Sequence, residues 1–135
     1  MAAVGPKIFI IDDDPGVIFL HEIILKESKL TDHPECFSDA REALGYIFNI
    51  DEDCSKLLIF LDINMPKMSG WDFLEVLKKK IHKADIKVIM VTSSLSKEDK
   101  EKSNEFPSVI DFWEKPINEI QSIKLQKRLK DWLSV

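Results

Sequence analysis

Leu57-Leu58-Ile59-Phe60-Leu61-Asp62 is an unbroken apolar run closed by a carboxylate. A strand with one wet face alternates apolar and polar residues, whereas a strand buried on both faces reads as continuously apolar, as in the middle of a parallel sheet. Parallel neighbours need helical crossovers, and the flanking sequence supplies them on both sides. Upstream, Lys7 to Ile11 is a compact β-branched run that ends at Asp12 and Asp13. Asp14 and Pro15 then provide a helix N-cap and a first-turn proline, followed by the expected apolar stripe Val17, Leu20, Ile24. A weaker strand fits Glu35 to Phe37, and Ala40, Ala43, Leu44, Ile47 and Phe48 recur at helical spacing, all expected in the core.

Downstream of Asp62, the turn Asn64 to Gly70 leads into a helix carrying Phe73, Leu74, Leu77 and Ile81. Val88 to Val91 is a fourth buried strand ending in Thr92 and Ser93, and Val109 to Trp113 is a fifth ending beside Lys115 and Pro116. Between them, Ser96 to Glu105 is so polar that it predicts only a short, loosely docked helix. Leu125, Leu129, Trp132 and Leu133 share one face of a final segment read as the fifth helix. Trp113 is expected to pack rather than to lie on a surface, since large aromatics in strands bury. The whole pattern is α/β: a doubly wound five-stranded parallel sheet with no internal repeat.

With 135 residues and 44% hydrophobic content, the chain suits one domain over residues 1–135. Its net charge of -5 and its interspersed basic residues argue against direct nucleic-acid binding, which needs clustered Lys and Arg. No apolar run is long enough for a membrane span, and Met1 to Pro6 lacks the charge and apolar stretch of a signal peptide. The expected location is cytoplasmic. Cys36 and Cys54 have no paired spacing, and His21, His33 and His82 lie in no metal-binding pattern, so ordinary thiols and surface or packing histidines are expected.

Four strand ends carry functional groups: Asp12 with Asp13, Asp62, Thr92 with Ser93, and Lys115. In open α/β sheets the ligand crevice lies outside the carboxyl ends of the strands, so these groups should converge. Three converging carboxylates raise one another's pKa, and a hard divalent cation such as Mg²⁺ relieves that repulsion while leaving positions for water and phosphate oxygens. One aspartate could then act as nucleophile on phosphorus, with a lysine and a hydroxyl at the equatorial oxygens. Asp14 is read as a helix cap.

The blocks Ile10-Ile11-Asp12-Asp13-Asp14-Pro15, Leu61-Asp62-Ile63-Asn64-Met65-Pro66-Lys67-Met68-Ser69-Gly70, Val91-Thr92-Ser93 and Trp113-Glu114-Lys115-Pro116 resemble the response-regulator receiver family of two-component signalling, in order and spacing across essentially the whole chain. The resemblance implies a (βα)5 flavodoxin-like fold with strand order 2-1-3-4-5. It implies Asp62 as phosphoacceptor and Mg²⁺ held by Asp13, Asp62 and the Asn64 backbone carbonyl, with Asp12 acting through water. Thr92 and Lys115 would touch the phosphoryl oxygens, and Thr92 and Phe112 would switch the face formed by the fourth helix, fifth strand and fifth helix. The phosphoryl donor would be a histidine kinase or a histidine phosphotransfer protein, and the output an unidentified downstream protein. Such a chain is a signalling phosphoacceptor and not an enzyme, assisting only its own phosphorylation and dephosphorylation. Phe106-Pro107-Ser108 replaces the small residues common before strand five, and Phe112 stands where Tyr is frequent.

Other readings differ at named positions. A metal-dependent phosphohydrolase with an aspartyl nucleophile usually carries an acid two residues on, where this chain has Asn64. A flavodoxin-like cofactor binder would need a phosphate-cradling loop after strand one. A degenerate docking module would not need the acid pair, Asp62, Thr92 and Lys115 together. Roughly one helix follows Pro116, so no output domain is expected within these residues, and a standalone relay intermediate is the remaining variant.

Overall fold

Burial on both faces sets the position of β3 (Lys56–Asp62) in the computed structural model, which describes residues 5–134. Leu57 to Leu61 are each at most 1% exposed. β3 lies at the centre of a five-stranded parallel sheet of order β2-β1-β3-β4-β5, formed with β1 (Lys7–Ile11), β2 (Glu35–Phe37), β4 (Asp85–Thr92) and β5 (Val109–Glu114). Its register is continuous from Lys7↔Leu57 to Ile11↔Leu61 on one side and from Lys56↔Asp85 to Asp62↔Val91 on the other. Every polar strand end therefore reaches the same edge of the sheet. Residues 1–4 lie outside the described residues, and with them most of the N-terminal stretch read above for a signal peptide.

The helices are α1 (Pro15–Glu27), α2 (Ala40–Asn49), α3 (Gly70–Lys80) and α4 (Lys97–Ser103), which cross between strands, and α5 (Glu119–Arg128) and the short α6 (Lys130–Leu133), which follow β5. Alternate strand residues feed two cores. Phe9, Ile11, Ile59 and Met90 meet α2 and α3, whereas Ile8, Ile10, Phe60 and Val91 meet α1 and α5. Trp113 packs in the second core against Phe60, at 5.8 Å between ring centroids. Asp14 caps α1 as expected, its carboxylate accepting the N–H groups of Gly16 at 2.8 Å and Val17 at 3.4 Å.

Three expectations about packing need correction. The buried residues of α1 are His21 and Leu25, continued by its C-cap Ser28, while Leu20 is 42% exposed and Val17, Ile18 and Ile24 are half-buried. Two of the buried residues are polar because α5 and the loop before it offer them partners, so a count of apolar residues alone rotates the face. Phe48 is 47% exposed, because Ile47, one helical step of about 100° away, takes the core position. The final segment is two helices. Leu129 leaves helical geometry at φ -104 and ψ 20, and Trp132 then turns its Nε1–H onto Asp85 Oδ2 at 2.8 Å.

The polar α4 buries none of its side chains, in line with its composition. It is tethered by its flanks: Phe106, 3% exposed, stacks on Trp71 of α3 at 6.0 Å, and Lys102 lies over the Trp71 ring at 5.3 Å.

Candidate functional site

The carboxyl edge of the sheet gathers four charged groups. Asp12 follows β1, where its N–H donates to Phe37 O at 3.1 Å and so ties the strand end to β2. Its Oδ1 accepts the Asp14 N–H at 2.9 Å, which fixes the carboxylate relative to the start of α1. Asp62 ends β3, and the turn after it is closed by the Gly70 N–H donating to Ile63 O at 2.8 Å. A Cβ on Gly70 would stand 2.6 Å from Asp62 O, so the turn can pack this tightly only with glycine at that position. Lys115 follows β5, with its N–H donating to Thr92 O at 2.6 Å. The Lys115–Pro116 peptide is cis.

From there the Lys115 ammonium reaches Asp12 Oδ2 at 2.7 Å and Asp62 Oδ1 at 3.1 Å. Asp12 and Asp62 are each 3% exposed, whereas Asp13 lies open to solvent. One carboxylate oxygen from each of the three aspartates lies within 4.8 Å of the others. Burial, and after it the charge of Asp12, push the Asp62 carboxyl up to about 6 against the opposing pull of Lys115. Burial works against the Lys115 charge too, but its hydrogen bond to Asp12 and the negative charge of both aspartates outweigh it and hold the ammonium above its ordinary range.

The donor set is made of oxygen, carries excess negative charge and has one solvent-facing member, which fits a hard divalent cation that keeps part of its water shell. Asp13, Asp62, Asn64, Ser93 and Lys115 line a cleft open to solvent above the cluster, with Val17 and Leu20 of α1 along one wall. A phosphate-sized group can reach Asp62 from that side.

Of the residues singled out from sequence, Asp12, Asp13, Asp62 and Lys115 meet, and Asn64 borders the cleft. Two others do not join them. The Thr92 hydroxyl, 1% exposed, turns into its own loop, donating to Ser94 O at 3.2 Å and accepting the Ser94 N–H at 3.3 Å. Phe112 is half-buried against the core on the α2–α3 side. One residue beside the site carries no functional signal in the sequence. His21 of α1 is 2% exposed and its Nε2 accepts the Ile117 N–H at 3.3 Å, just beyond Lys115. Its only sequence signal was a place three residues after Ile18 on a helix face, which a search for apolar residues passes over.

Comparison with protein families matches residues 8–127 to the response regulator receiver domain. Among solved structures, the chain is similar to a two-component response regulator from Cytophaga hutchinsonii, at 22% identity and a TM-score of 0.79, with 94% of this chain and 98% of that one covered. A two-component response regulator from Legionella pneumophila aligns at 28% identity and a TM-score of 0.75, over 93% and 98% of the two chains. Chemotaxis protein CheY4 of Vibrio cholerae aligns at 23% identity and a TM-score of 0.71, again over 93% and 98%. No curated protein sequence matches the chain.

Proposed function

The chain belongs to the response regulator receiver domain family of two-component signalling, and from that membership we propose that Asp62 is its phosphoacceptor, loaded from a phosphohistidine on a kinase or phosphotransfer protein. The observation that carries this reading is the Lys115 ammonium held between Asp12 at 2.7 Å and Asp62 at 3.1 Å, with Asp13 alongside. In the transfer an Asp62 carboxylate oxygen attacks phosphorus and the P–N bond to the donor imidazole breaks. The bonding electron pair stays on that nitrogen, and an acyl phosphate forms on Asp62. Hydrolysis returns the carboxylate and inorganic phosphate, so the domain is a timed switch rather than a catalyst for free substrates.

Receiver domains generally bind Mg²⁺ in an acidic pocket, and Asp13, Asp62 and the Asn64 backbone carbonyl would hold it here, with Asp12 acting through water. The cation supplies charge neutralisation for the carboxylates and the incoming phosphoryl oxygens. Lys115 orients Asp62 and offers a charge-assisted hydrogen bond to a phosphoryl oxygen. The Thr92 hydroxyl can supply another only by leaving Ser94, exchanging two local bonds for one to an anion. That exchange gives the β4–α4 loop two alternative arrangements. Phe112 would be the element of β5 that follows, changing the face of α4, β5 and α5 that a downstream partner reads.

An acyl phosphate donor with Mg²⁺ is expected to add one phosphoryl group, measured by intact-protein mass, and Asp62→Asn to abolish it. Labelling that persists in the variant would place the acceptor elsewhere. Beryllofluoride with Mg²⁺, which mimics the acyl phosphate, is expected to change Trp71 or Trp113 fluorescence. Unchanged emission and unchanged amide spectra at saturation would remove the switch.

A further inference from the structure

The loop that carries Lys115 is held at two points. Lys115 N–H donates to Thr92 O of β4 at 2.6 Å, and two residues later the Ile117 N–H donates to His21 Nε2 of α1 at 3.3 Å. Ile117 is 1% exposed, packed in the core with Trp113 and Leu125, so water cannot take over that N–H. Between the two anchors the Lys115 side chain turns back to Asp12 and Asp62. On this geometry, and resting on the phosphoacceptor reading above, we propose that His21 is a positioning residue for Lys115, its acceptor nitrogen setting the loop from which the ammonium is aimed at Asp62.

The simpler role for a buried histidine is to fill space between α1 and α5. An apolar side chain would do that as well, yet it would leave the Ile117 N–H buried without a partner. Nor is His21 needed as polar contact between the helices themselves. At the C-cap of α1, Ser28 Oγ meets Ser122 Oγ of α5 at 2.7 Å, and Gln126 Nε2 donates to Ser28 O at 3.0 Å. His21 instead reaches the loop. To accept at Nε2 the ring must be neutral with its proton on Nδ1. Burial above all, with Lys115 adding to it and Asp12 opposing, lowers the imidazole to about 4, which keeps it neutral at physiological pH.

The test compares variants by the rate at which an acyl phosphate donor with Mg²⁺ labels Asp62. His21→Leu is expected to slow labelling on the order of tenfold, because misplacing a positioning contact by a fraction of an ångström has effects of that size. His21→Gln keeps a side-chain acceptor and is expected to recover most of the loss. In a Lys115→Ala background His21→Leu should cost nothing further, since the two residues act through one contact. A merely structural role would slow labelling by the same factor in both backgrounds, and that result overturns the proposal. So does an unchanged rate in His21→Leu when the wild type is labelled normally. Failure of the wild type to be labelled on Asp62 overturns both this proposal and the phosphoacceptor reading. If His21→Leu does not fold, imidazole nitrogen shifts of the wild-type protein decide: the proton on Nδ1 with Nε2 as acceptor is expected, and a protonated Nε2 overturns the proposal.

Discussion

Asp62 occupies surroundings that work against its own charge, and that has a measurable sign. Burial and Asp12 raise its carboxyl from the ordinary 3.8 to about 6 in the metal-free protein. Between those values the unfolded chain has already ionised while the native carboxyl still holds its proton. The native state binds more protons, so stability falls as pH rises through that window and levels off above it. His21, lowered to about 4, contributes a rise over nearly the same window, so the fall is expected in the difference between wild type and Asp62→Asn, measured by urea unfolding with a chelator present. Above pH 6 that variant should be more stable than the wild type by about 1 kcal/mol, the usual return for relieving a strained functional site. The proposed phosphoacceptor is then a residue whose charge the fold tolerates poorly without a cation. The identities of Asp12, Asp13, Asp62 and Lys115 were legible from their positions at strand ends. The Thr92 hydroxyl was not, because its direction depends on a local exchange with Ser94 that residue type does not reveal.

At the scale of elements, how clearly a segment reads depends on how uniform its surroundings are. β3 and β4 are wrapped in apolar neighbours, so hydrophobicity alone located them. α1 meets a mixed surface, where His21 and Ser28 are buried because each has a hydrogen-bond partner, and the apolar stripe was placed wrongly in consequence. The junction from β3 to α3 depends on close approach instead. With a Cβ on Gly70 only 2.6 Å from Asp62 O and 3.0 Å from Ile63 Cα, backbone must move to admit even alanine. Gly70→Ala is expected to cost about 1–3 kcal/mol in urea unfolding, and to slow phosphorylation as well, because the displaced atoms belong to the proposed acceptor residue. α4 lies at the other extreme. With seven residues and no buried side chain, it should exchange its amide hydrogens well before α3 does, as native-state exchange can measure.

Across the whole molecule the two edges of the sheet do different work. The carboxyl edge concentrates Asp12, Asp13 and Asp62, whose mutual repulsion and burial weaken the fold while they build the site, and Lys115 offsets only part of that repulsion. The opposite edge is a clasp. Trp132 donates to Asp85 Oδ2 at 2.8 Å at the start of β4, Lys56 Nζ at the start of β3 donates to Trp132 O at 3.0 Å, and Lys87 stands 5.2 Å from the indole centroid. This fastens the C-terminal end of the chain across the middle of the sheet, and its residues contribute nothing to the cleft above Asp62. The helical break at Leu129 that permits it was not visible in sequence, since Leu125, Leu129, Trp132 and Leu133 also satisfy the spacing of one continuous helix. Trp132→Ala is therefore expected to lower stability by about 1–3 kcal/mol, from lost apolar contact and the cation–π pairing, while leaving the rate of Asp62 phosphorylation within twofold of wild type. Lys115→Ala should instead slow phosphorylation by more than tenfold, as losing a charged contact to a transferring phosphoryl group does, and should also lower stability, because it leaves Asp12 and Asp62 buried without their cation. Measuring both variants by urea unfolding and by phosphorylation rate tests the division directly. Equal losses of rate in the two would mean that the clasp and the site are coupled through β3 and β4, and the separation of stability from chemistry would have to be given up.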